Sequence, residues 1–191
     1  MISLLVALSS SLPAPSLAQA ENPCQNTDTV LPAEDTRRLT LEQFGVALSI
    51  PANYRAILRN DGSVQVVDPG TYNLIRCQIQ GGDLLGRGFS ELVIRQVDAA
   101  AEDSLETVVR DAVYAEAPGP RPSSCISPYP LQGQQGYLVQ TPTGRHAEFW
   151  LHPPNTSTIT VLETSCDCQG MVDRLIEVLE TTELLAASAS P

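Results

Sequence analysis

The chain has 191 residues, 42% of them hydrophobic and only 17% charged, which is enough apolar side chain for one folded domain and too little charge for a disordered one. Its net charge is −11 and all 11 basic residues are arginine, so lysine nucleophiles, Schiff bases and Walker phosphate loops are excluded. An acidic chain without a basic cluster also argues against nucleic acid or an anionic membrane as partner, because both require concentrated positive charge.

Residues 1–20 carry the pattern of a secretory signal. Ile2–Leu8 is a short apolar run, and Ala18-Gln19-Ala20 supplies an A-x-A cleavage site before Glu21. No Lys or Arg precedes the run, which departs from the usual signal. The run is too short to span a bilayer, and no other segment could cross one. The expected mature protein is therefore exported, to a periplasm, a thylakoid lumen or the extracellular space, with no integral membrane segment.

Residues 21–40 are polar, contain Pro23 and Pro32 and lack periodicity, as expected of an extended lead-in. Residues 41–185 then read as a single α+β domain, followed by a frayed tail at 186–191. In Phe44–Tyr54, Phe44, Val46, Leu48 and Ile50 alternate with small residues until Pro51; this predicts the first strand of the sheet. Tyr54–Arg59 is a possible strand, and Asn60-Asp61-Gly62 marks a hairpin turn into Val64–Val67. Asp68-Pro69-Gly70 closes that strand, and Tyr72–Gln80 fits a strand or a helical turn equally well. Gly81–Gly88 is a loop, and Glu91–Val97 a strand.

Asp103, with Glu106 three residues on, predicts a capped helix start. Leu105, Val108, Val109 and Ala112 then fall on one helical face. Three strands follow, Gly136–Thr141, Arg145–His152 and Thr158–Ser165, and Met171–Leu184 reads as a closing amphipathic helix. This order predicts a central antiparallel sheet of about six strands flanked by two helices.

The opening FGVALSIP, the helix after ELVIRQVD, the meander GYLVQTPTGRHAEFWLHPPNTSTITVLET and the closing helix together resemble the Mog/PsbP-like families. Those families often place a tryptophan soon after the proline of the first strand, where this chain has Tyr54. The resemblance covers about residues 41–185 and implies an α/β sandwich without enzymatic activity. It also implies a protein that binds another protein or assists assembly, for instance as an extrinsic factor at a photosynthetic or envelope membrane. No residue role carries over from it.

Five cysteines, Cys24, Cys77, Cys125, Cys166 and Cys168, read as disulfide candidates in an exported protein. Two bridges leave one thiol over. Cys125 and Cys77 are candidate partners for the closely spaced Cys166 and Cys168, and the spacing leaves the pairing open. Oxidised cysteine is also the favoured reading over zinc or copper ligation at Cys166-Asp167-Cys168.

His146, Glu148, Trp150 and His152 share one face of a predicted strand. At 3.3 Å per residue the two histidines stand roughly 20 Å apart and cannot share an ion. His146 and Glu148 can, but they need further ligands. The sequence holds no calcium loop, no dinucleotide fingerprint and no G-x-S-x-G elbow. The expectation is thus a non-enzymatic exported module with a protein partner, no cofactor and no catalytic or metal site. Two alternatives stand beside it. One is a metal protein or enzyme using His146, Glu148 and the Cys166/Cys168 pair; the other is a purely structural, disulfide-stabilised secreted domain.

Overall fold

Val46–Pro51 forms a strand, β2, with Phe44, Val46, Leu48 and Ile50 all buried as the alternation predicts. It is neither the first strand nor part of the main sheet. Thr36–Leu41, expected within the lead-in, forms β1 and pairs antiparallel with β2, Leu39 opposite Leu48. On the other edge of β2 sits the two-residue strand β10 (Glu183–Leu184), completing a three-stranded sheet in the order β1-β2-β10. Strand β1 is hard to read because it is an edge strand whose first three residues are polar and exposed, and only Leu39 and Leu41, both half-buried against the core, alternate. The computed structural model describes residues 24–82, 91–98, 103–115, 125–154, 156–166 and 170–186. The expected signal, most of the glycine loop, Cys168 and the last five residues lie outside them.

The fold is α+β, and its main sheet is antiparallel and seven-stranded rather than six-stranded. It comprises β3 (Arg55–Leu58), β4 (Val64–Val67), β5 (Glu91–Asp98), β6 (Ile126–Leu131), β7 (Gln134–Gln140), β8 (His146–Leu151) and β9 (Thr158–Ser165). Their spatial order is β3-β4-β5-β9-β8-β7-β6. The predicted Asn60-Asp61-Gly62 turn joins β3 to β4. There Asp61 accepts from the Ser63 N–H at 3.0 Å, and Gly62 takes the left-handed φ of 82°. Strand β6 falls outside the predicted strands and carries two prolines, Pro128 and Pro130. It lies at the sheet edge, where a residue without an N–H leaves only an outward-facing ladder position empty.

The sheet buries both faces. Ala147, Phe149 and Leu151 of β8, with Leu162 of β9, pack against β2 and against α3 (Met171–Glu180) through Met171, Leu175 and Leu179. Trp150, Val161 and Ile159 point the other way, toward Val109 and Val113 of α2 (Leu105–Ala115). Period-two side-chain alternation thus separates two cores, one on each face.

Two helix ends differ from expectation for local reasons. Ser104, rather than Asp103, caps α2: its hydroxyl accepts from the Thr107 N–H at 3.2 Å, while Glu106 instead binds Arg110 at 2.8 Å. Helix α3 stops at Glu180, four residues short. There the Thr181 and Thr182 hydroxyls donate to the Val178 carbonyl at 3.0 and 2.9 Å, satisfying a terminal acceptor and turning the chain into β10.

A third helix, α1 (Pro69–Ile79), occupies the segment that read equally as strand or helix. Asp68-Pro69 is a cap followed by proline at the first helical position, a start signal rather than the end of a strand. Asp68 is 4% exposed, and its Oδ1 accepts from Gly70 N, Thr71 N and Val30 N. Burial raises the carboxyl's pKa, but the bonds from Thr71, Val30 and Gly70 outweigh it and hold the group below its ordinary value.

Through Val30, the same carboxylate ties the N-terminal arm (24–35) to the helix. Asn53 adds two more ties, accepting from Ala33 N at 2.9 Å and donating to the Leu31 carbonyl at 2.8 Å. Gly70 has no side chain because the arm crosses directly over it: a Cβ there would overlap the Asp28 carbonyl. Replacing Asp68 with alanine removes the cap and the arm anchor together. Denaturant unfolding is expected to show a loss of about 2 kcal/mol, the upper end for a single cap.

Candidate functional site

Strand β8 places His146, Glu148 and Trp150 on the face shared with α2, at the polar end of that core. Antiparallel pairing with β9 sets Glu148 directly opposite Glu163. Two carboxylates facing each other across a ladder repel, and the arrangement persists only with compensation. Arg95 of β5, on the far side of β9, supplies it. Its guanidinium lies 3.0 Å from Glu148 Oε1 and 3.5 Å from Glu163 Oε2, and stacks 5.2 Å from the centre of the Trp150 ring. The Trp150 indole N–H donates to Glu148 Oε2 at 2.8 Å. His146 closes the cluster, with Nε2 3.3 Å from Glu148 Oε1 and Nδ1 3.5 Å from Glu163 Oε1.

The two carboxylates are driven apart in acidity. Burial raises the pKa of Glu148, but hydrogen bonds from His146 and Trp150 and the Arg95 charge prevail and lower it. For Glu163 burial wins: with the repulsion of Glu148 added, it outweighs the attraction of His146 and Arg95 and raises the pKa. The asymmetry lies in the hydrogen bonds: His146 first, and then the Trp150 indole, lower Glu148 by bonding to it, and neither bond lowers Glu163.

The predicted pair of His146 and Glu148 is therefore brought together. Glu163 and Arg95 join it, and both were missed. The predicted strands alone do not reveal it: paired end to end, Arg145–His152 and Thr158–Ser165 set Glu148 opposite Leu162, and only the actual register, offset by one residue, sets it opposite Glu163. His152 is exposed beyond the end of β8 and takes no part. Cys166 takes no part as a thiolate either, because it is disulfide-bonded. Cys24 bonds to Cys77 and Cys125 is a free thiol, so neither of the two cysteines expected as partners for Cys166 and Cys168 bonds to them.

A groove of about 740 Å³ opens on the other face of the sheet. Its floor is Val66, Leu92 and Thr164, from three neighbouring strands. One wall is α3 with β2, through Met171, Val178 and Ile50, and the arm residues Thr29–Pro32 form the other. Leu31 stands at the mouth with 82% of its surface exposed, although its carbonyl is held by Asn53. Asp173, Arg174 and Glu177 of α3 also line the groove.

No family model matches the chain, and no curated protein does. Among solved structures, a crystal structure from Bacteroides thetaiotaomicron VPI-5482 is similar over 77% of this chain and 47% of that one, at 10% identity and a TM-score of 0.38. At that distance the likeness assigns neither a family nor an activity, and the chain spans about half the length of the protein it matches.

Proposed function

We propose that this chain is an exported, non-enzymatic module that binds a protein partner in the groove between the N-terminal arm, β2 and α3, the role that its Mog/PsbP-like resemblance implies. The observation that carries the reading is the arm. A disulfide and side-chain bonds to its backbone hold an extended segment in place, with an exposed leucine at the mouth of an apolar groove. An apolar side chain held in water marks a contact surface when it borders a larger apolar floor. The groove lining includes neither His146 nor Glu148, so that polar cluster does not line the ligand space. The disulfide supports an oxidising compartment. Two carboxylates against one arginine on α3, in a chain of net charge −11, favour a partner segment that is apolar with basic flanks.

The test is affinity capture from native extract with the wild-type chain and with Leu31→Asp, each washed at low and high salt. A partner retained by the wild type, released by salt and absent from Leu31→Asp supports the proposal. The screening length falls from about 8 Å at physiological ionic strength to about 3 Å at 1 M salt, so a high-salt wash weakens the exposed rim contacts, which is why salt is the discriminating wash. The same eluate from both proteins, or a lone monomer from every fraction, contradicts it.

A further inference from the structure

On the sheet face opposite the groove, His146, Glu148 and Glu163 each offer a ligand atom, and these atoms all lie within 4.8 Å of one another. We infer that they form a binding site for a first-row divalent transition ion such as Zn²⁺ or Mn²⁺. An ion of this class sits about 2.0–2.2 Å from imidazole nitrogen and carboxylate oxygen, so side-chain shifts of under about 1 Å close the set. One nitrogen and two oxygens suit these ions better than Mg²⁺ or Ca²⁺, which take oxygen alone.

The surroundings match what metal ligands require. Glu148 is oriented by the Trp150 indole N–H at 2.8 Å, an outer hydrogen bond that fixes the carboxylate. Arg95 reaches Glu163 through Oε2, leaving Oε1 facing the imidazole. Entry is open, because the side chains of His146 and Glu163 are 30% and 24% exposed. Charge points the same way: with a neutral imidazole, two carboxylates against one guanidinium leave a net charge of −1. Arg95, which already donates to Glu148 Oε1 at 3.0 Å, opposes the ion and weakens its binding.

The test is calorimetric titration of the chelator-stripped full chain, in a Cys125→Ser background that removes the free thiol, with Zn²⁺ and separately with Mn²⁺. One equivalent is expected. His146→Asn and Glu163→Gln are each expected to weaken binding by tenfold or more, and Trp150→Phe, which loses the orienting N–H, by about tenfold. His152→Asn, roughly 20 Å along the strand from His146, leaves it unchanged. Bound Mn²⁺ should show ¹⁴N imidazole coupling in pulsed EPR, lost in His146→Asn. Glu163→Gln keeps the shape of the site, and an unchanged circular dichroism spectrum confirms its fold. Absence of saturable binding, binding undiminished in His146→Asn and Glu163→Gln, or equal weakening by His152→Asn overturns the inference.

Discussion

Replacing Cys24 and Cys77 with serine is expected to destabilise the protein by about 4 kcal/mol, from the chain entropy that a crosslink removes from the unfolded state. The two residues are 53 apart in sequence, so the bridge closes a loop containing β1, β2, β3, β4 and most of α1. For a chain of this size the loss corresponds to a fall of roughly 8–16 °C in midpoint temperature. The bridge also closes the arm's path. Asp68 and Asn53 hold its middle and far end, whereas the disulfide holds residue 24. Gly82 packs against the sulfurs so closely that a Cβ would overlap Cys77 Sγ. Thermal unfolding of the double serine variant beside the oxidised wild type is the check. A fall of only one or two degrees would mean that the arm is no part of the cooperative unit.

The second large effect lies in the carboxylate pair, where substituting one member should destabilise the protein and substituting the other should not. Glu148→Ala removes the acceptor for the Trp150 indole and the main partner of Arg95, both at the edge of a buried core. The expected cost is about 3 kcal/mol, as when one member of a buried pair is deleted. Glu163→Gln instead replaces a carboxylate whose charged form is disfavoured by burial and by its neighbour, so stability at neutral pH is expected to hold or rise.

The pH dependence separates the pair further. Glu148 has a folded pKa below the ordinary 4.5, so its contribution is present above that value and is lost as pH falls toward the folded pKa. Glu163 has a folded pKa above 4.5, so its contribution is present below 4.5 and is lost as pH rises through the folded pKa. In chelator, Glu163→Gln should flatten the stability profile just above pH 4.5, and Glu148→Gln should flatten it just below. Denaturant midpoints between pH 3 and pH 7 read both limbs. Like-signed changes in the two glutamine variants would contradict the asymmetry attributed to the hydrogen bonds that His146 and Trp150 give to Glu148.

Much of the fold is legible wherever one face of an element is buried. The alternation in Phe44–Ile50, the Asp-Gly turn, the three strands from Gly136 to Ser165 and the faces of α2 and α3 all follow from apolar periodicity. What escapes is governed by position within the sheet. Strand β1 is exposed, β6 carries two prolines that only an edge tolerates, and β10 is two residues long. Helix α1 is announced by Asp68-Pro69, but its buried residues Thr71, Leu74 and Cys77 include two that do not read as core from sequence. The placement of β2 in a separate small sheet depends on β1 and β10, so the local pattern of β2 alone could not reveal it.

Half of the polar cluster is legible for the same reason. His146 and Glu148 lie two residues apart on one strand, so their shared face is a local property. Glu163 and Arg95 enter only through strand register. The β5–β9 ladder sets Arg95 opposite Val161, and from there its side chain reaches Glu163, 68 residues further along the chain across a helix and three strands. The groove is less legible still, since it is built from the arm, β2, three strands of the main sheet and α3. Its most telling residue, Leu31, sits in a stretch whose only sequence feature is the lack of one.

The most direct test of the partner-binding proposal is photocross-linking from the groove in native extract, with a benzophenone amino acid at position 31 and, as control, at Asp111. Asp111 is exposed on α2, on the opposite face of the main sheet. A discrete adduct formed from position 31, absent from position 111 and suppressed by high salt, is the predicted result. No adduct from position 31, or the same adducts from both positions, would contradict a partner site at the arm and α3.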